Sequence, residues 1–251
     1  MKITLPLLFL FCMICFAETN AQTKINSVTI NDRIIYATVD RPGELYIVTK
    51  AGHIQRFDIN GNLVSTYRNQ PAPTLFDPRD GSRLFVYFRQ DQRYSYMNPS
   101  LEATKSQTIE PSFAVDPWLV CSSGDHNLWI LDAADASLKK VNVNSGSLEV
   151  DNKIADSLIQ KIADITFMRE YQNFLFLLHP TKGILIFNTM GRWIKTIESP
   201  QLEYFNFLGE ELYYPEGNKL KFLNLFTAEI REISRSQPGD VILLTDERMY
   251  T

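Results

Sequence analysis

The 251-residue sequence carries 25 Lys and Arg against 29 Asp and Glu, a formal net charge of −4 at pH 7, and 45% hydrophobic residues. This mildly acidic balance lacks the basic stripe that nucleic-acid binding requires, so no nucleic-acid partner is expected. The length suffices to bury a substantial core without disulfides, and with only three cysteines the chain holds no framework of bridges.

Residues 1–21 read as a signal peptide. Lys2 supplies a positive start, Leu5 to Ala17 is apolar apart from Pro6, and Glu18, Thr19 and Asn20 form a polar stretch before the small Ala21. Cleavage there leaves residues 22–251 as a single mature domain beginning at Gln22. An uncleaved anchor would need ~20 apolar residues, more than this run offers. A lipoprotein needs a small residue before the modified cysteine, whereas Phe11 and Ile14 precede Cys12 and Cys15. The mature chain keeps Cys121 alone, in an apolar strand-like run that predicts a buried, inert thiol. No second apolar run approaches membrane-spanning length, so no transmembrane segment is expected after cleavage.

A repeat runs through the rest. Leu45-Tyr46, Leu84-Phe85, Leu128-Trp129, Leu175-Phe176 and Leu212-Tyr213 recur, with Met249-Tyr250 as a sixth copy, at steps of 39, 44, 47, 37 and 37 residues. Each full copy carries a second apolar segment ending in Asp58, Asn98, Asn142, Asn188 or Asn224, 13, 14, 14, 13 and 12 residues after the Leu. Strand, turn, strand, Asx turn is the natural reading. β-branched and aromatic residues fill the strands, and the Asx side chain bonds nearby backbone amides. Outer strands are expected at Leu63 to Tyr67, Leu148 to Val150, Trp193 to Ile197 and Ile230 to Ile233. Inner ones are expected at Ile34 to Val39, Thr74 to Phe76, Trp118 to Cys121, Ile165 to Met168, Tyr204 to Leu208 and Val241 to Leu244. Four strands in about 40 residues make a propeller blade. Prolines at 71, 73, 111, 200 and 238 mark links between blades.

The fold class expected is therefore all-β, a β-propeller. Six blades are expected, the last shared between the termini by pairing Ile25 to Ile30 with the strand beginning near Arg248, since closure removes exposed edges. The alternative is five blades with a loose C-terminal hairpin. In the longest step, Leu158, Ile159 and Ile162 stand at helical spacing, which predicts one short inserted helix over Ala155 to Ala163.

Catalytic constellations do not emerge. His53, His126 and His179 fall at predicted turns without metal-ligand spacing, and neither a nucleophile elbow nor a phosphate-binding glycine loop is present. No metal site, cofactor or catalytic residue is expected. Arg169-Glu170-Tyr171-Gln172 is the densest polar cluster near an inner strand. It reads as the first turn of blade four, with Arg79-Asp80 at the equivalent turn of blade two, both serving inter-blade ion pairs.

The phrase Leu45-Tyr-Ile-Val-Thr49 with Gly52-His-Ile-Gln-Arg-Phe-Asp-Ile-Asn-Gly-Asn-Leu63 resembles the six-bladed NHL-type and related exported bacterial propellers. Asn127 to Asp132, Ser137 to Asn142 and Asp164 to Asn173 resemble a family of secreted bacterial propellers without assigned activity. The resemblance spans Ile34 to Thr251 and implies fold and export but no catalytic residues. The chain departs from enzymatic NHL relatives by lacking clustered histidines.

These readings lead to a non-enzymatic propeller in the periplasm or on the cell envelope, binding an envelope protein or glycan. The rival readings are a small-ligand or glycan binder in the central channel, and a propeller lyase or hydrolase. The expected binding face carries the turns between second and third strands, with Lys50, Arg89, Arg93, His179 and Lys182 as its binding residues.

Overall fold

The computed structural model describes residues 24–68, 71–79, 81–235 and 241–251. The expected leader and its cleavage point before Gln22 lie outside the described residues, as do Asp80 and Pro238. The described chain forms five antiparallel four-stranded sheets and one two-stranded hairpin. It is a β-propeller with five blades.

Blade one comprises β1 (Ile34–Val39), β2 (Leu45–Thr49), β3 (His53–Phe57) and β4 (Leu63–Arg68). Blade two comprises β5 (Leu75–Asp77), β6 (Leu84–Phe88), β7 (Arg93–Met97) and β8 (Gln107–Thr108). Blade three runs β9 (Pro117–Ser122), β10 (Leu128–Asp132), β11 (Ser137–Asn142) and β12 (Ser147–Lys153). Blade four runs β13 (Phe167–Tyr171), β14 (Phe174–His179), β15 (Gly183–Phe187) and β16 (Trp193–Ile197). Blade five contains β17 (Asn206–Leu208), β18 (Glu211–Glu216), β19 (Lys219–Asn224) and β20 (Ile230–Ser234), and the hairpin is β21 (Leu243–Leu244) with β22 (Met249–Tyr250).

Both anchors of the repeat have a physical role. The aromatic of each pair is a core residue: Tyr46, Phe85, Trp129, Phe176 and Tyr213 are at most 1% exposed. It lies on the second strand, where neighbouring sheets press on both faces and a large ring fills the gap. The Asx carboxyl or amide oxygen caps the turn to the outer strand in every blade. Asp58 Oδ1 accepts from the Asn60 and Asn62 amides, Asn98 from Ser100 and Glu102, and Asn142 from Asn144 and Ser145. Asn188 accepts from Met190 and Arg192, and Asn224 from Phe226 and Thr227. These local bonds satisfy amides that the ladder leaves free at a turn.

Three expectations are corrected. The sixth copy stops at two strands, so the full blades number five. It is nonetheless no loose appendage, because β21 lies against β1 and β17 and fills the seam between blades one and five. Tyr204 Oη and Tyr213 Oη accept from the Ile242 and Leu244 amides at 2.9 Å, and Tyr250 Oη donates to the Gly43 carbonyl at 2.7 Å.

The N-terminal piece does not pair with it. Residues 24–30 form no strand, Ile25 and Val28 are exposed, and the segment is tied down by Asn26 Nδ2 donating to the Asn60 carbonyl. Its apolar residues, Ile25, Val28 and Ile30, do not keep the alternation of a half-buried strand, and the first two remain exposed.

The helix over 155–163 is absent as well. The Ala155 carbonyl accepts from the Leu158 and Ile159 amides in a single turn, and a 3₁₀ turn follows at Ile162–Asp164. Ile154, Ile159, Ile162 and Ile165 are all buried in the blade-three core. Burial at such uneven intervals pins the link to the core, and a helix this short is marginal without its own packed stripe.

Candidate functional site at the channel mouth

The end of each innermost strand points to one face of the ring, where the chain turns into the second strand. There the described residues enclose a cavity of about 600 Å³. Its wall is contributed in turn by Asp40 and Arg41 after β1, Arg79 after β5, Gly124 after β9, Tyr171 to Asn173 from β13, Phe207 to Glu210 from β17, and Leu244 to Asp246 from the hairpin.

Arg169 forms the floor. The sequence reading places it in a turn, but β13 extends through Tyr171, and Arg169 and Glu170 are each only 7% exposed. Alternation sends the two side chains opposite ways. Arg169 Nη2 meets Asp77 Oδ1 of blade two at 3.1 Å, and Nη1 donates to Asn206 Oδ1 of blade five at 3.0 Å. Arg169 Nε and Asp77 Oδ2 are buried without a hydrogen-bond partner among the described residues. Glu170 turns to blade three. Its carboxylate accepts from Ser123 Oγ, from the Gly124 amide at 2.7 Å and from Trp129 Nε1 at 2.7 Å. Arg79 Nη2 spans the same seam, donating to the Ser122 and Glu170 carbonyls at 2.7 and 3.3 Å. The expected inter-blade role of this cluster is thus what the structure shows, from a strand rather than a turn.

Asp40 closes the first blade's side of the mouth. Its carboxylate accepts from the Gly43 and Glu44 amides and from Tyr46 Oη at 2.8–2.9 Å. Burial pushes its pKa up, against the lowering effect of the Glu44 and Tyr46 bonds. Below the floor, burial raises the Tyr36 phenol to about 12, with the nearby Arg169 charge working the other way. That ring lies 5.6 Å from the Phe167 ring, so the far side of the floor is aromatic.

The rim is mixed. Tyr171 stacks on Phe207 with ring centroids 4.1 Å apart and planes 12° from parallel, and its hydroxyl donates to the Gly209 carbonyl at 2.5 Å. Gln172 and Asn173 are exposed at the tip of the β13–β14 hairpin, both at positive φ, and Arg41, Glu210 and Asp246 are exposed around it.

The residues expected to bind lie on the opposite face, in turns between second and third strands, and most are engaged within the chain. Arg89 stacks on Trp118 at 3.4 Å and pairs with Asp116 at 3.7 Å. Arg93 bonds Asp91 at 2.9 Å and covers the Phe88 ring. His179 is 4% exposed, and its Nδ1 accepts from the Thr181 and Lys182 amides at 3.2 and 3.3 Å. Burial lowers its pKa. Lys182 Nζ donates to the Ser157 and Leu158 carbonyls at 3.2 and 2.6 Å. Lys50 is exposed in its turn.

The three histidines are dispersed. His126 stands beside Arg83 on the mouth side, His53 and His179 lie on the other face, and the mouth wall contains no histidine. Cys121 is buried, and burial drives its thiol pKa up.

The mouth residues share a sequence signal, of which the sequence reading singled out only Arg79 and Glu170. Counting back five positions from each anchor, Leu45 through Met249, lands on Asp40, Arg79, Ser123, Glu170, Phe207 and Leu244. All but Ser123 line the cavity, and Ser123 holds Glu170.

No protein-family model matches the chain, and no curated protein matches it by sequence. Solved structures do. A streptogramin B lyase superposes with a TM-score of 0.55 at 13% identity, over 87% of this chain and 75% of the lyase. They share the propeller fold. A catalytically inactive virginiamycin B lyase from Staphylococcus aureus with quinupristin gives 0.53 at 13% identity, over 82% of this chain and 71% of that one. PorZ from Porphyromonas gingivalis, a surface component of its type-IX secretion system, gives 0.55 at 9% identity, over 87% of this chain and 29% of PorZ. Identity this low establishes shared architecture and carries no activity across.

Proposed function

We propose that this chain is an exported, non-enzymatic propeller of the cell envelope that binds its partner or ligand in the channel mouth. The observation that carries this reading is the mouth itself, a polar cavity of about 600 Å³ built by all five blades and the hairpin. That volume falls within the roughly 300–1,000 Å³ of small-molecule sites. On the opposite face, Arg89, Arg93, His179 and Lys182 are already engaged in holding their own turns. A binding role fits better than catalysis because the buried acids of the site, Asp40 and Glu170, each accept from three donors and no histidine lines the wall. An envelope setting is supported by the leader pattern and by the description of PorZ as a bacterial surface component.

The test is affinity capture from envelope extracts with the tagged mature protein, beginning at Gln22 by mass spectrometry. Arg41→Glu and Glu210→Trp should each abolish capture of the main partner, and Lys50→Glu should not. Loss with Lys50→Glu and retention with both mouth variants would move the site to the other face.

A further inference from the structure

We infer that the ligand of this mouth is a neutral saccharide, whose ring lies on Tyr171 and whose hydroxyls engage the rim amides and carboxylates. The inference rests on the mouth being the binding site, and it adds the chemical class of what enters.

Charge is the first argument. Arg41, Arg79 and Arg169 in the wall stand against Asp40, Glu170, Glu210 and Asp246. A near-balanced wall offers no net attraction to a phosphate, a polyanion or a polycation. The second argument is the kind of hydrogen bond on offer. The exposed side chains of Gln172 and Asn173 each donate and accept, Arg41 donates, and Glu210 and Asp246 accept. A carboxylate only accepts and an ammonium only donates, so each matches only half of these groups. A hydroxyl does both.

The third argument is the flat apolar surface beside them. Tyr171 is half-buried, held against Phe207 on one side and by its hydroxyl to Gly209, so its ring is fixed before any ligand arrives. A rigid aromatic with convergent polar groups suits a molecule that has one apolar face and a polar edge.

The experiment is a glycan microarray carrying neutral and acidic saccharides, probed with the mature protein and followed by saturation-transfer NMR with the best neutral saccharide found. Wild type should retain at least one neutral saccharide, and Tyr171→Ala should weaken it about tenfold or more, as loss of a central contact does. Tyr171→Phe should keep binding within about threefold, since the ring is the platform. Glu210→Ala, on the exposed rim, should weaken it similarly to Tyr171→Ala and tests the claim even where Tyr171→Ala fails to fold. If no neutral saccharide binds while the mouth variants still abolish envelope capture, the saccharide class is wrong and the mouth stands. If saccharides bind wild type and the mouth variants equally, the location is wrong. Selective retention of acidic glycans alone would also overturn the inference.

Discussion

Arg169 of the fourth blade and Asp77 of the second meet at 3.1 Å, joining inner strands that are not sequence neighbours across the floor of the mouth. Both are nearly inaccessible, so the pair is paid for in desolvation and works only while both members are present. Replacing Arg169 with Met leaves the Asp77 charge buried and should cost about 3–5 kcal/mol. Adding Asp77→Leu to that variant should restore part of the loss. Urea denaturation of the single and double variants checks this, and equal midpoints for wild type and Arg169→Met would refute it.

Among the described residues, the C-terminal hairpin fills the seam between blades one and five. Deleting 241–251 removes the strand between β1 and β17 together with the amides that bond the Tyr204 and Tyr213 hydroxyls. The Tm should fall by about 5 °C or more, since each kcal/mol is worth roughly 2–4 °C at this size. Deleting 24–30 removes only the Asn26 tether among the described contacts and should leave the Tm nearly unchanged. The reverse ranking in a thermal melt would contradict this closure.

Gly183 opens β15 at a φ of +93°, and a Cβ there would stand 2.1 Å from the Ile197 carbonyl oxygen. Gly183→Ala should therefore destabilise by more than about 2 kcal/mol. Gly217, at a φ of +58° with open space around it, isolates the backbone cost, and Gly217→Ala should lose only about 1 kcal/mol. Similar losses at the two sites would mean that the close approach at Gly183 is not real.

His179 gives the fold a pH dependence of known sign. Its Nδ1 must stay unprotonated to accept from the Thr181 and Lys182 amides, and burial holds the folded pKa below the ordinary 6.5, with Asp164 opposing and Lys182 assisting. As pH falls through about 6.5 the unfolded chain takes up the proton first. This contribution is thus complete above that pH and is lost as pH drops towards the folded value. His179→Asn places an amide oxygen where Nδ1 stood, as the Asx turns do, and should remove the dependence. Melts between pH 7.5 and 5 with parallel curves for wild type and variant would disprove it.

Much of this architecture is legible in the sequence because its determinants are local. Asp58, Asn98, Asn142, Asn188 and Asn224 each bond amides two to four residues on, so their spacing exposes the turns directly. What a repeat cannot convey is which strands find partners. Ile25 to Ile30 is strand-like in composition yet forms no strand, and Leu158, Ile159 and Ile162 are spaced like a helix while three-dimensional burial sets their course. The site was harder to read for the same reason. Arg89 looks like a free surface charge until Trp118 folds beneath it, 29 residues on in the chain, and Arg169 looks like a turn residue until Asp77 and Asn206 converge on it.

The central claim is the placement of binding at the mouth, and site-specific photocrosslinking in the intact envelope tests it most directly. A benzophenone amino acid replaces His126, on the mouth side but outside the cavity wall, in one variant and Lys50 on the opposite face in another, both positions being exposed. The account predicts a discrete adduct from position 126 and none from position 50. An adduct from position 50 alone would contradict it.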